Sequence, residues 1–122
     1  MSDVRRIDPG PRLSEASVHG GRLYLSGMIP EDTSLDITGQ VKQALGEIDA
    51  LLAKGGSDKT KILSAVIWLS DIGDFAAMNA VWDAWVVPGQ APARATVQAR
   101  LNDPAMRVEI MVVAAISELS VS

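Results

Sequence analysis

Two stretches of the chain repeat apolar residues at the spacing of an α-helix. The first has its apolar face at Ile37, Val41, Leu45, Ile48 and Leu52. The second has an apolar stripe at Phe75, Met78, Trp82 and Trp85. Ser34 or Asp36 has a side chain suited to cap the start of the first helix. Gly55-Gly56 follows its end, where helices commonly terminate in glycine.

The other apolar segments predict strands bounded by turn residues. They cover residues 4–7, 16–19, 22–26, 62–69, 93–99 and 107–115. Gly20-Gly21 between the second and third segments is a two-residue hairpin signal. The resulting order is β-β-β-α-β-α-β-β, which predicts an α+β fold with both helices on one face of a sheet. No linker or repeat divides the chain, so we expect a single domain over residues 1–122.

The last two strands contain charged residues in unusual places. Side chains alternate between the faces of a strand, so Arg94, Thr96, Gln98 and Arg100 share one face. Ala93, Ala95, Val97 and Ala99 share the other. After the turn at 101–104, the run 107–115 is so apolar that it predicts a strand covered on both faces. Glu109 is its one acid, and a buried carboxylate is costly without a partner or a function.

Composition excludes several kinds of chemistry. The 122 residues include no cysteine and one histidine, so thiol nucleophiles, thiolate metal sites and multi-histidine metal centres are excluded. The net charge of −4 argues against nucleic acid or an anionic membrane as the main partner. No segment has the apolar length of a membrane span, and the N-terminal residues lack a signal-peptide core. We therefore expect a cytoplasmic protein.

Four sequence segments, in order along nearly the whole chain, resemble one known family. They are LYLSG at 23–27, VIWLSD at 66–71, DFAAMN at 74–79, and PARATVQARL at 92–101 followed by VEI at 108–110. The chain is similar to the RidA (also called YjgF) family of reactive-intermediate imine deaminases. The resemblance implies a chorismate-mutase-like fold that forms a homotrimer with sites in the clefts between subunits. Two-sided apolar strands at 62–69 and 108–115 suit such an assembly.

The resemblance also implies roles for two residues. Arg94 matches the arginine that holds the carboxylate of a 2-imino or 2-enamino acid, and Glu109 matches the glutamate that positions or activates the attacking water. The products are a 2-oxo acid and ammonia, and neither a metal nor an organic cofactor is needed. The alternative for Arg94 is a structural ion pair with Glu109 or with an acid at an interface. Glu109 could equally pair with Arg94, with Arg107 or with a backbone amide.

Five further positions correspond to positions of the family's site, and one of them departs from the family's pattern. Thr96 stands where many members have cysteine, and it is alternatively an ordinary strand former. Asn79 matches an asparagine near the site, and it alternatively makes a structural bond. Ser26 and Gly27 match a cleft wall, or they form a plain turn. Leu13 departs from the family, since many imine-hydrolysing members have a tyrosine near this position, and the pocket is expected to differ in shape.

Three classes of function remain open from the sequence. The first is an imine and enamine deaminase, and the second is a non-enzymatic protein that binds small carboxylates or imino acids. The third is a chaperone-like trimer that uses its surface. An endoribonuclease role, proposed for some relatives, is disfavoured by the acidic net charge and the single histidine.

Overall fold

The computed structural model describes residues 3–116, which form one six-stranded sheet and two α-helices. The strands are β1 (Arg5–Pro9), β2 (Ser14–His19), β3 (Arg22–Leu25), β4 (Ile62–Leu69), β5 (Ala93–Gln98) and β6 (Val108–Ala115). The helices are α1 (Ile37–Lys54) and α2 (Phe75–Trp85), and single 3₁₀ turns occur at Lys59–Lys61 and Ile72–Asp74. The predicted element order and α+β class are confirmed. Neither described α-helix combines the length and apolar character needed to cross a membrane.

The order of strands across the sheet differs from their order in the chain. It is β1-β2-β3-β6-β4-β5, so the last strand lies in the interior and β5 lies at an edge. Every neighbouring pair is antiparallel except β4 and β5, which are parallel and are connected through α2. The edge strand β1 continues through Pro9, two residues beyond its predicted end at residue 7. An edge strand tolerates proline because its outer side has no hydrogen-bonding neighbour.

The hairpin between β2 and β3 forms at the predicted glycine pair. Gly20 and Gly21 have φ angles of 61° and 76°. A type I′ turn requires positive φ at both central positions, and glycine adopts such angles without steric cost. His19 and Arg22 are therefore directly paired at the hairpin end, and the prediction is confirmed.

Helix α1 is capped at both ends by residues that the sequence predicted. Of the two candidate caps, Asp36 is the one used, since its side chain accepts a hydrogen bond of 2.9 Å from the Gly39 amide. Gly55 forms the C-terminal cap, and its amide donates to the Leu51 and Leu52 carbonyls at 3.0 and 3.1 Å. All five apolar residues predicted for the helix face are buried.

The core lies between both helices and one face of the sheet. Alternate residues of β6 are almost inaccessible, and they pack with Ile67 and Leu69 of β4. The helices contribute Leu45, Ile48 and Met78 to the same cluster, each at most 2% exposed. Burial of this apolar surface is the main stabilising term of the fold.

The opposite face of the sheet is also apolar, but no described element covers it. Val66, Trp68, Met111 and Val113 are half-buried there, and Tyr24 is 44% exposed. The prediction that residues 107–115 are covered on both faces therefore holds for only one face of β6 within the single chain. The reason is that both helices pack on the other side of the sheet.

We predict opposite effects of the same substitution at two glycines of the α1 region. A Cβ atom on Gly55 overlaps the buried Leu23 side chain, with Leu23 Cδ1 at 2.8 Å. Gly55→Ala should therefore lower the free energy of unfolding by about 1–3 kcal/mol through overpacking. Gly46 lies exposed within α1 with open space around its Cα, so Gly46→Ala should raise that free energy by about 0.4–1 kcal/mol. Urea denaturation of both variants measures the difference, and equal stabilities contradict the Gly55–Leu23 contact.

Candidate active site

Arg94 lies on the face of the sheet that the helices cover. Residues paired across neighbouring strands point to the same face, and Arg94 pairs with Ala65 while Thr96 pairs with Ile67. Ala65 and Ile67 are both buried under the helices. The polar side chains of β5 thus turn toward the helix layer, and its small apolar residues turn away from it.

Aromatic rings from α2 surround the Arg94 guanidinium. Its central carbon lies 5.2 Å from the Trp82 ring centroid and 5.8 Å from that of Phe75. Nη1 also lies 4.0 Å from the Met78 sulfur, a weak acceptor. Within the described part of the chain Arg94 has no ion pair. Its guanidinium therefore keeps hydrogen-bond donors available for a ligand.

Two further predicted residues accompany Arg94. Thr96, two residues along β5, has a buried hydroxyl oxygen with no hydrogen-bond partner among the described residues. Asn79 is half-buried on α2, four residues after Phe75, and so lies on the same side of that helix. Thr96 therefore adds an unpartnered hydroxyl on the Arg94 face of β5, and Asn79 adds an amide on the Phe75 side of α2.

Glu109 lies on the opposite face of the sheet. It pairs with Trp68 across β6 and β4, and both side chains belong to the face that the helices leave uncovered. The Glu109 carboxylate lies against Gly27, where an added Cβ would overlap Oε2 and stand 2.9 Å from Cδ. Met28 holds this segment beside β6 through reciprocal backbone hydrogen bonds with Ile110 of 2.7 and 2.9 Å. Glycine at position 27 therefore makes room for the carboxylate.

An open cleft of about 600 Å³ contains Glu109 together with Leu13, Ser26 and Gly27. Three further carboxylates line it, at Glu15, Glu31 and Glu47. None of the described residues that line this cleft is basic. Within residues 3–116, no three histidine or acidic side chains are grouped as a metal ion requires. The cleft is therefore acidic. Near the position where many imine-hydrolysing family members have a tyrosine, this chain has the exposed side chain of Leu13.

The predicted site residues therefore form two separate groups. Arg94, Thr96 and Asn79 lie on the helix side, whereas Glu109, on the opposite face, shares with Leu13, Ser26 and Gly27 a cleft that α1 reaches only through Glu47. Strand β4 separates β5 from β6, which adds two strand spacings of roughly 4.8 Å each to the change of face. A single chain does not bring Arg94 and Glu109 together. The alternative of an Arg94–Glu109 ion pair within one chain is therefore wrong.

The alternative pairing of Glu109 with Arg107 is also wrong, because Arg107 binds a different acid. Its Nε and Nη2 atoms donate to the two Asp74 carboxylate oxygens at 3.1 and 3.0 Å. The Asp74 side chain is only 12% exposed, and that of Arg107 is 41% exposed. This bidentate pair joins the start of α2 to the start of β6, and the sequence analysis missed it. The only signal for it was an acid directly before a helix.

Gln40 is a second structural residue that the sequence analysis missed. It is fully buried within the apolar face of α1. Its Nε2 atom lies 3.1, 3.0 and 3.0 Å from the carbonyl oxygens of Thr33, Leu35 and Ala105, and its Oε1 accepts from the Arg107 amide at 2.7 Å. A polar residue inside an apolar helical stripe was the available signal. Gln40 fixes the loop before α1 against the loop before β6.

A larger cleft than the one at Glu109 lies elsewhere among the described residues. Its volume is about 740 Å³, and it is formed by the loop between β5 and β6 with Ser70 and Gln98. None of the predicted site residues lines it. Size alone therefore does not identify the candidate site, which rests on the unengaged polar groups described above.

Comparison with known proteins identifies the class and then the family. The fold matches that of solved YjgF-family structures, which are chorismate-mutase-like. One, from Neisseria meningitidis, superimposes with a TM-score of 0.92 at 48% identity, covering 95% of this chain and 97% of the other. A family model described as endoribonuclease L-PSP matches residues 4–116. The chain therefore belongs to this family, which is the RidA (YjgF) family indicated by its sequence.

Two curated relatives carry further information. The RutC family protein YoaB of Escherichia coli is 50% identical over 113 residues, which cover 93% of this chain and 98% of YoaB. A rat protein named 2-iminobutanoate/2-iminopropanoate deaminase is 30% identical over 107 residues, which cover 83% of this chain and 77% of the rat protein. The more distant of the two relatives is the one whose name states an activity.

We predict that the Arg107–Asp74 pair stabilises the fold more than an exposed ion pair does. Arg107→Gln leaves the largely buried Asp74 carboxylate without its bidentate partner, and should lower the free energy of unfolding by about 1–2 kcal/mol. Lys54→Gln is the matched control, since it removes the exposed Lys54–Asp8 pair of 2.5 Å and should cost at most about 0.5 kcal/mol. Thermal and urea melts compare the two variants, and equal losses contradict a special role for Asp74.

Proposed function

We propose that the protein hydrolyses reactive 2-imino and 2-enamino acids to 2-oxo acids and ammonia. The observation that carries the proposal is the unengaged Arg94 guanidinium, a half-buried cation with no carboxylate partner in the described chain. A bound carboxylate supplies the missing charge and accepts bidentate hydrogen bonds. The name of the rat relative supports the same substrate class.

The groups around Arg94 suit the recognition of a small carboxylate. In the proposal the guanidinium fork binds both carboxylate oxygens of the substrate, which a lysine ammonium could not do with the same geometry. The buried Thr96 hydroxyl, which lacks a partner, completes its hydrogen bonding with the ligand or with an ordered water. Asn79 lies on the same side of α2 as Phe75 and offers an amide there.

Glu109 supplies the acid–base chemistry in the proposal. It accepts a proton from a water molecule as the water oxygen bonds to the imine carbon, and it returns that proton to the former imine nitrogen to give a carbinolamine. Glu109 then takes the hydroxyl proton of the carbinolamine and passes it to the nitrogen as the carbon–nitrogen bond breaks, which releases ammonia and leaves the 2-oxo acid. Since an imine is already electrophilic, a positioned carboxylate and water are sufficient for this reaction. The absence of a side chain at Gly27 leaves the space that the Glu109 carboxylate occupies.

The two groups of residues meet only if a second copy of the chain completes the cleft. We propose a cyclic homotrimer in which Arg94 of one chain faces Glu109 of the next. The apolar sheet face around Trp68 and Met111 is the surface that such an assembly buries, because both residues belong to the face without helices. A head-to-tail contact uses two different surfaces of each chain, and it forms a closed ring when the rotation closes.

A binding protein without catalysis is the alternative function. Leu13, 55% exposed at the edge of the Glu109 cleft, supplies no phenol where many imine-hydrolysing relatives have tyrosine. The same Arg94 clamp then serves to bind small carboxylates, and a chaperone-like trimer needs neither Arg94 nor Glu109. An assay with imine generated in situ by an amino-acid oxidase separates these classes. A deaminase accelerates release of the 2-oxo acid, whereas a binder leaves that rate unchanged.

The first functional prediction concerns Arg94. Arg94→Ala should abolish acceleration of imine hydrolysis, because each charge-assisted hydrogen bond lost should cost roughly 1.5–3 kcal/mol of binding. Arg94→Lys should recover only part of the activity, since an ammonium cannot form the bidentate fork. Thermal melts of both variants should stay close to wild type. Full activity in Arg94→Ala would rule out the carboxylate clamp.

The second functional prediction concerns Glu109 and its position on a neighbouring chain. Glu109→Gln should slow turnover by about 10²-fold while carboxylate binding and stability stay nearly unchanged. Normal turnover in this variant removes Glu109 from the proposed mechanism. Loss of binding and stability together indicates instead that Glu109 neutralises a buried cation.

Mixed assemblies of the two inactive variants test the shared cleft. Chains with Arg94→Ala and chains with Glu109→Gln are co-expressed with different tags, and assemblies containing both are purified. Every cyclic trimer that contains both variants places an intact Arg94 opposite an intact Glu109 at one of its chain boundaries, so about one third of wild-type turnover should return. Mass photometry should show three chains of 12.9 kDa. No recovery in verified mixed trimers contradicts a cleft shared between chains.

A further inference from the structure

Two aromatic rings, rather than an acid, accompany the Arg94 cation. The guanidinium carbon lies 5.2 Å from the Trp82 centroid and 5.8 Å from the Phe75 centroid, both within the range of cation–π attraction. Trp82 is 5% exposed, whereas Phe75 is 41% exposed. One ring therefore belongs to the core, and the other remains accessible beside the arginine.

The two rings are held by different parts of the fold. Trp82 packs on Trp85 at a centroid distance of 5.4 Å, and Trp85 Nε1 donates to Asp49 of α1 at 2.9 Å. Phe75 is the first residue of α2 and directly follows Asp74, which Arg107 binds. The Trp82 ring and the backbone position of Phe75 are thus fixed by contacts that do not involve Arg94.

A ring and a carboxylate stabilise an arginine in different ways. A carboxylate partner occupies the N–H donors of the guanidinium, whereas the attraction of a ring acts through its π face and takes up no conventional acceptor. The Met78 thioether at 4.0 Å is a weak acceptor and competes little. Arg94 is therefore held in place while its donors stay free.

We infer that Phe75 and Trp82 are positioning residues that hold the Arg94 guanidinium ready for the substrate carboxylate. The inference rests on the proposed function and assigns to these two rings the preorganisation of its binding step. If the arginine is already immobilised before the ligand arrives, less side-chain conformational entropy is lost on binding. The carboxylate contact is made in both the ground state and the transition state, so the rings act on KM and hardly on kcat.

Phe75 permits the cleaner test because its substitution disturbs the core least. Phe75→Leu should weaken binding of 2-oxobutanoate, measured by calorimetry, by about two- to fivefold, the range of an exposed cation–π contact. KM for imine generated in situ should rise by a similar factor with kcat unchanged. Phe75→Tyr restores a ring and should restore both values. The melting temperatures of the two variants should match wild type.

Neighbouring tryptophans of α2 supply the matched control. Trp82→Phe keeps a weaker ring beside Arg94 and should weaken 2-oxobutanoate binding by about twofold. Trp85→Phe makes the same substitution one turn away, at a ring that packs on Trp82 rather than on Arg94, and should weaken binding less than Trp82→Phe does. Equal effects of the two substitutions on binding would show that the loss is structural and would overturn the inference.

A ligand-free measurement separates this inference from the proposed function. Ring currents of Phe75 shift the NMR resonance of the Arg94 Nε–H group, so Phe75→Leu should move that resonance and Trp85→Phe should not. Unchanged affinity in Phe75→Leu, with wild type binding normally, overturns the inference alone. Failure of the wild-type protein to bind 2-oxobutanoate and to hydrolyse imine overturns the proposed function and the inference with it.

Discussion

The alternation of side chains along a β-strand governs the architecture of the candidate site. Arg94 shares a face with Ala65 and Ile67, and Glu109 shares the opposite face with Trp68. A shift of β6 by one residue would reverse the direction of Glu109 and would also turn the core residues of β6 toward solvent. Burial of Ile110, which is fully inaccessible, therefore fixes the direction of the neighbouring Glu109 side chain. Stability of the core and geometry of the site depend on the same register.

Two part-buried polar contacts fix the loops around the candidate site relative to the sheet. Gln40 holds the segments before α1 and before β6 together, and the Asp74–Arg107 pair joins the start of α2 to the start of β6. Each contact satisfies groups that would be costly to leave unpaired in the interior. Phe75 and Glu109 lie one and two residues from these anchors, respectively, so functional side chains follow directly after fixed points of the chain.

The sequence predicted the local features of the fold well, because their causes are local. The Gly20-Gly21 turn and the Asp36 cap depend on residues adjacent in the chain. The order of strands in the sheet depends on distant contacts, and the sequence analysis therefore did not derive it from periodicity. The same limit applies to the site. Resemblance to a family selected Arg94 and Glu109, but only the pairing of β4 with both β5 and β6 shows that they lie on opposite faces.

Separating the cation from the anion within one chain has a chemical consequence. An arginine and a glutamate on the same face of adjacent strands form an ion pair, and a substrate carboxylate must then displace the glutamate to reach the arginine. In this fold the sheet itself prevents that competition, since β4 and a change of face separate Arg94 from Glu109. The aromatic rings beside Arg94 also leave its donors free, because Trp82 and Phe75 stabilise its charge through their π faces. Within one chain Arg94 and Glu109 therefore form no ion pair with each other, and in the proposed trimer they meet only across a chain boundary, where the substrate carboxylate is proposed to bind Arg94.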